Sequence, residues 1–177
     1  MKMSKFLAVV AFIVVGSAFT VIISTNWAVK EEAYAVKFDT RWASGTFKGL
    51  KGAINFDATN LPKSGFDVTV DVSTISTGNG LKNSHAKSEG FFNAAKFPTI
   101  QFTSSKIEKT GTGFQATGKL RIKDVTKDVL MPFTFVKSGD NEGTFKSNFE
   151  INRLDYGLER KMVGEIVKIE LLIPVKK

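Results

Sequence analysis

His85 is the single histidine of the chain, and there is no cysteine. Those two facts remove much chemistry at once. A thiolate nucleophile, a disulfide frame, a thiolate metal site and lipoprotein acylation all need cysteine, and a multi-imidazole zinc site needs several histidines. Ser84 stands beside His85, but neighbouring residues seldom present a nucleophile and its base to each other, and no G-x-S-x-G elbow occurs. Asp155 and Glu159 are near in sequence, which does not place them at a catalytic separation. No glycine loop leads into a helix to cradle a phosphate. Arg153, with Asp155 two residues on, reads as an ion pair or turn brace, or as a ligand contact. The polar groups argue for binding rather than for catalysis.

The elements that hold these groups follow period two. Phe66-Asp67-Val68-Thr69-Val70-Asp71-Val72 alternates apolar and polar residues without a break, the signature of a half-buried strand. Val36–Asp39, Ile54–Asp57, Ile100–Thr103, Phe114–Ile122, Val125–Phe135, Phe145–Ile151 and Glu165–Val175 repeat it, with Lys127 interrupting one face. Polar turns such as Lys63-Ser64-Gly65 and Thr110-Gly111-Thr112-Gly113 separate them. The spacing predicts an antiparallel all-β barrel or sandwich and excludes a βαβ fold. From Thr77 to Pro98 the alternation fails. Asn83 is placed there to cap a short helix starting at Ser84, and a connection this long in a compact β domain is usually functional. It holds His85 and the Phe91-Phe92 pair.

The 177 residues are 42% hydrophobic and 24% charged, the balance of one ordinary domain. Phenylalanine stands out, with 16 against two Trp and two Tyr, so the interior carries apolar area without polar handles. That scarcity of Trp and Tyr also argues against an outer-membrane barrel, which wants aromatic girdles at both interfaces. Residues 1–25 open with Lys2 and Lys5, run apolar from Phe6 to Val15 and offer Gly16-Ser17-Ala18. This is a cleavable export signal or, with Phe19–Ile23 included, a retained membrane anchor. Either places residues 26–177 outside the cytoplasm, in the periplasm or secreted. Beyond Lys2 and Lys5, 23 basic residues face 17 acidic ones. The lysines are scattered, so the excess reads as a solvated surface rather than a nucleic-acid groove.

Four stretches together resemble the YceI family of exported lipid-binding proteins. They are Gly45–Asp57; Val70–Asn79 followed by His85, Ser88, Phe91-Phe92-Asn93 and Lys96–Ser104; Gly118–Val129; and Asn152–Gly157. The likeness spans Trp27 to Val175. It implies an all-β fold: an eight-stranded antiparallel lipocalin-like barrel with one short helical connection, here behind an N-terminal hydrophobic signal or anchor helix. It also implies an elongated apolar tunnel around a polyisoprenoid chain, as in a quinone or prenyl phosphate, with no other cofactor and no metal. The connection departs from the family pattern. Lys82-Asn83, Lys87 and Gly90 stand where Arg-Asp, Arg and an acidic residue are usual, and lysine lacks the planar bidentate donor of arginine.

On this reading the wall residues are those on the inward phase. They are Phe38, Phe56, Val68 and Val70 in the first half, Phe102, Phe114 and Leu120 in the middle, and Met131, Phe133, Phe149 and Ile169 towards the end. Each could instead fill a solid core. Asn79, Lys82, His85, Phe91 and Phe92 are expected at the tunnel mouth, by the head group. His85 could equally cap or pack the helix against the rim. The expected function is non-catalytic transport, storage or sequestration of the lipid. The alternatives are a ligand-free structural or stress-protective barrel and an enzyme acting on a bound lipid. The expected partners are a long-chain isoprenoid and, through the N-terminal segment, a membrane; pairing into a homodimer is left open.

Overall fold

A computed structural model describes residues 26–159 and 164–177. Among them nine antiparallel strands run in chain order: β1 Asn26–Val29, β2 Ala35–Asp39, β3 Ser44–Asn55, β4 Gly65–Ser76, β5 Thr99–Lys109, β6 Phe114–Ile122, β7 Val125–Lys137, β8 Glu142–Asn152 and β9 Ile166–Lys176. One helix, α1 (Gly80–Lys87), lies between β4 and β5. The expected N-terminal signal or anchor helix lies outside the described residues. Among the described residues no helix is long and apolar enough to cross a membrane.

The nine strands make an eight-lane barrel. β3 through β9 pair in sequence order, except that β1 and β2 sit between β3 and β9. Those two share one lane. β1 pairs with β9 at Ala28↔Lys176 and Val29↔Val175, and β2 resumes at Ala35↔Leu172. The chain spends more residues than the ladder can take between Val29 and Ala35, and the surplus is extruded as a turn around Glu31–Ala33. β1 is too short for its periodicity to be read from sequence, and the alternation accordingly starts at β2. Asn26 pairs with Asn55 at the far end of β3, so the described chain begins at the end of the barrel opposite α1.

Alternation sets the faces as the sequence predicts. In β8, Phe145 and Ser147 are buried while Lys146 and Asn148 are exposed; β9 follows the same rule towards Ile173 and Val175. The apolar face points inward. β3 is the strand that alternation reads least well, because it is bulged: its pairing with β4 shifts between Thr46 and Lys48 and again between Lys48 and Lys51. Gly49 and Gly52 carry positive φ there, a conformation that costs other residues strain. A Cβ on Gly52 would stand 2.1 Å from the Asp67 carbonyl oxygen. Gly52→Ala is therefore expected to cost about 1–3 kcal/mol, lowering Tm by roughly 2–12 °C for a chain of this size. A thermal melt checks this, and an unchanged Tm contradicts it.

The core is divided along the barrel axis. The end opposite α1 is closed by rings. Phe56, 3% exposed, packs its ring against Phe66, Phe114, Phe133, Phe135 and Phe145 at centroid distances of 5.0 to 6.4 Å, mostly edge to face. Trp27 adds its edge to Phe135 at 5.1 Å and donates its indole N–H to the Phe56 carbonyl at 2.9 Å. Such contacts are worth about 0.5–1.5 kcal/mol each beyond the area they bury. These rings form a plug. The other half of the interior is hollow.

Candidate functional site

The hollow half is a cavity of about 580 Å³, inside the range of roughly 300–1,000 Å³ typical of small-molecule sites. Every lane contributes to its wall: Val36 and Phe38 from β2, Phe47 from β3, Val68 and Val70 from β4, Ile100 and Phe102 from β5, Leu120 and Ile122 from β6, Val129, Met131 and Phe133 from β7, Phe149 and Ile151 from β8, Ile169 and Leu171 from β9. Among the described residues no carboxylate lines it. Burial supports a void rather than a filled core. Val68, Val70, Phe149 and Ile169 point inward yet are only half-buried, whereas plug residues such as Phe56 and Phe145 are fully buried. The remaining exposure of the wall side chains faces the bore.

The sequence-expected wall set divides between bore and plug. Phe38, Val68, Val70, Phe102, Leu120, Met131, Phe133, Phe149 and Ile169 line the cavity. Phe56 and Phe114 do not; both rings are stacked into the plug. The implied elongated tunnel is thus a blind bore. Alternation assigns a residue to the inward face but says nothing about its height along the axis, so it cannot separate the two groups. Phe66 and Phe145 join bore and plug and were not singled out from sequence.

The open end lies under α1. Asn79 caps this helix, its side-chain oxygen accepting from the Lys82 N–H at 3.0 Å. This corrects two sequence expectations. The helix starts at Gly80 rather than Ser84, and Asn79 serves the backbone rather than lining the mouth. Asn83 lies inside the helix, where its Oδ1 accepts from both the N–H and the hydroxyl of Thr77 at 2.8 and 2.7 Å. That contact ties the helix back to the end of β4. The four remaining mouth residues, Lys82, His85, Phe91 and Phe92, do line the cavity. Phe92 packs on Phe47 and Phe91, and its N–H donates to the Ala86 carbonyl at 3.1 Å, holding the Phe-Phe segment beneath the helix. Lys82 Nζ reaches across the opening to the Trp42 carbonyl at 3.4 Å. His85 is exposed on one side and faces the cavity on the other.

The wall has one seam. β7 and β8 are paired only from Thr134↔Lys146 to Lys137↔Gly143. Beyond that the two strands diverge, and Ser147 donates its hydroxyl to the Pro132 carbonyl at 2.6 Å where the ladder stops. The 3-10 turn Arg153–Tyr156 packs against β7 in this gap. Arg153 is 4% exposed. Its Nε donates to the Gly164 carbonyl at 2.9 Å and its Nη1 to the Leu158 carbonyl. These bonds describe the turn brace among the sequence readings of Arg153, and the residue also lines the cavity. Tyr156 is buried in the same turn. Burial, with the Asp155 charge adding to it, pushes its hydroxyl up to about 12. A group raised above its unfolded value of about 10 stabilises the fold fully below that value. Stability should therefore fall as pH climbs from about 10 towards 12. In a Tyr34→Phe variant, which leaves Tyr156 as the only tyrosine, phenolate absorbance should emerge near 12. Emergence near 10 contradicts the burial argument.

The bore is lined mostly by apolar side chains, with Lys82, His85 and Arg153 among the polar ones. Among the described residues no group of three or more His, Asp or Glu side chains could hold a metal. The YceI-like domain family model matches residues 27–175. The chain belongs to the YceI-like family. A UPF0312 protein of Photorhabdus laumondii and Protein YceI of Salmonella arizonae are each 29% identical over 140 residues, 76% of this chain and 73% of theirs. Among solved YceI-like and related structures, Burkholderia cenocepacia BcnA superposes with a TM-score of 0.78 at 23% identity, covering 83% of this chain and 99% of that one. The Campylobacter jejuni YceI protein gives 0.68 at 25%, over 75% and 84%. A polyisoprenoid-binding domain from Saccharophagus degradans gives 0.66 at 12%, over 87% and 99%. At these identities BcnA and the Saccharophagus domain establish a shared fold.

Proposed function

We propose that this YceI-like chain is a non-catalytic carrier of a long isoprenoid lipid, of the quinone or prenyl phosphate class, held tail-inward in the blind bore. The observation that carries the reading is the carboxylate-free apolar cavity, closed by the plug and open beside Lys82 and His85. Each 100 Å² of hydrocarbon moved from water into such a wall contributes about 2.5 kcal/mol, so a long tail can offset the ordering cost of binding. Lys82 and His85 supply hydrogen-bond donors where the head group would rest. The fold shared with a polyisoprenoid-binding domain supports this ligand class. Residues 1–25, as an export signal or anchor, would place the carrier outside the cytoplasm, and an anchor would attach it to a membrane.

The test is extraction of the protein purified from its own source, with mass spectrometry of the extract. An isoprenoid lipid is expected in near-stoichiometric amount. Saturating quinone or prenyl phosphate at 100 times Kd should add about 2.7 kcal/mol to stability, raising Tm by roughly 5–11 °C. An empty extract together with an unmoved Tm would reject the carrier and leave a ligand-free scaffold.

A further inference from the structure

Among the described residues the bore opens at the rim under α1, beside Lys82 and His85, which gives a lipid a way out there. Three of the five large apolar side chains that are exposed among the described residues lie at that end of the barrel: Trp42 at 60%, Leu81 at 67% and Ile166 at 47%. Trp42 follows β2, Leu81 is in the first turn of α1 and Ile166 opens β9. Lys82 bonding to the Trp42 carbonyl brings α1 within a lysine's reach of the Trp42 loop. Cations accompany them. The Arg41 guanidinium sits over the Trp42 ring at 5.1 Å, and α1 carries Lys82 and Lys87 with no acidic residue, Glu89 being the first beyond it. Arg41, Lys82 and Lys87 make no ion pair among the described residues.

An indole and a leucine at a rim, flanked by unpaired cations, match the two layers of a bilayer surface. Trp settles at the headgroup level, apolar side chains enter the acyl boundary, and basic residues meet anionic headgroups. We propose that the Trp42–Leu81 rim docks on an anionic lipid surface, so that cargo passes between bilayer and bore without crossing water. The proposal rests on the carrier reading for its purpose, but its geometry is separately testable.

Trp42 is its own reporter, because the second tryptophan, Trp27, is buried in the plug at the other end. The full chain is mixed with unbrominated phosphatidylcholine vesicles, which take up any membrane-seeking N-terminal segment. It is then titrated with vesicles of brominated phosphatidylglycerol. Trp42 emission should shift to the blue and lose more than half its intensity; a Trp42→Phe variant, showing Trp27 alone, should be unaffected. Brominated phosphatidylcholine should quench at least several-fold less. Arg41→Glu with Leu81→Asp, neither of which lines the bore, should abolish quenching and slow uptake of a quinone from vesicles at least tenfold. Uptake of the same quinone from detergent solution should be unchanged.

Absence of quenching, or equal quenching by both lipids, overturns the docking surface, as does quenching that survives the double variant. The detergent arm separates the two ideas. A chain that takes up quinone from detergent but leaves Trp42 unquenched keeps its carrier role and loses the docking surface. A chain that is quenched yet takes up no quinone from either source keeps the docking surface and loses the carrier role.

Discussion

Val68→Trp combined with Leu171→Trp should abolish lipid uptake by the barrel while leaving the barrel folded. Both side chains line the bore, from β4 and β9. Forcing bulk into a packed core ordinarily costs about 1–3 kcal/mol. Here the added rings enter a void of about 580 Å³, so the melting temperature should hold or rise. The signs separate the two readings of the interior. A carrier loses more than tenfold in quinone uptake, measured by extraction after incubation. A scaffold gains stability and loses nothing measurable. A variant that takes up lipid as the parent does would remove the bore as the binding site.

Phe56→Ala should have the opposite character, a large loss of stability. The ring meets five other phenylalanines, and large-to-small changes of buried Phe cost about 3–5 kcal/mol. For a chain of this length Tm should drop by roughly 6–20 °C. Phe56→Leu should restore much of it, because what matters is filled volume at the plug. A drop of under about 3 °C on Phe56→Ala, near what 1 kcal/mol yields, would mean that the plug is not what closes this end.

Much of this was legible from the residues. Alternation located six of the seven long strands, β6 from Phe114 to Ile122 to the residue, and of β3 caught only the end at Ile54-Asn55. The scarcity of Trp and Tyr is what made the apolar side the inner one, and the side of the sheet a residue takes follows from its parity alone. Position along the axis does not, and so Phe56 and Phe133 look alike in sequence while one plugs and the other also lines the bore. β1 escaped because four residues carry too little period to register. The start of β3 escaped as a strand because two bulges break its parity. At the mouth, Asn83 was expected to cap the helix, and Asn79 does so instead. The choice was decided by Thr77, whose N–H and hydroxyl occupy Asn83 and leave Asn79 for the helix. The brace role of Arg153 depends on carbonyls of Leu158 and Gly164, and no local pattern announces partners that far along the chain.

The pairing of Asn26 with Asn55 fixes the polarity of the whole molecule. The leading segment joins at the sealed pole, and the orifice is at the other. Were residues 1–25 kept as a tether, the vessel would stand on its base with the opening directed away from the sheet that holds it, towards whatever faces it. Cut free, the same vessel could tip its opening onto any surface, including the one it came from. If residues 1–25 are such a leader and the bore carries a lipid, removal or retention of the leader would decide which membrane the opening can reach.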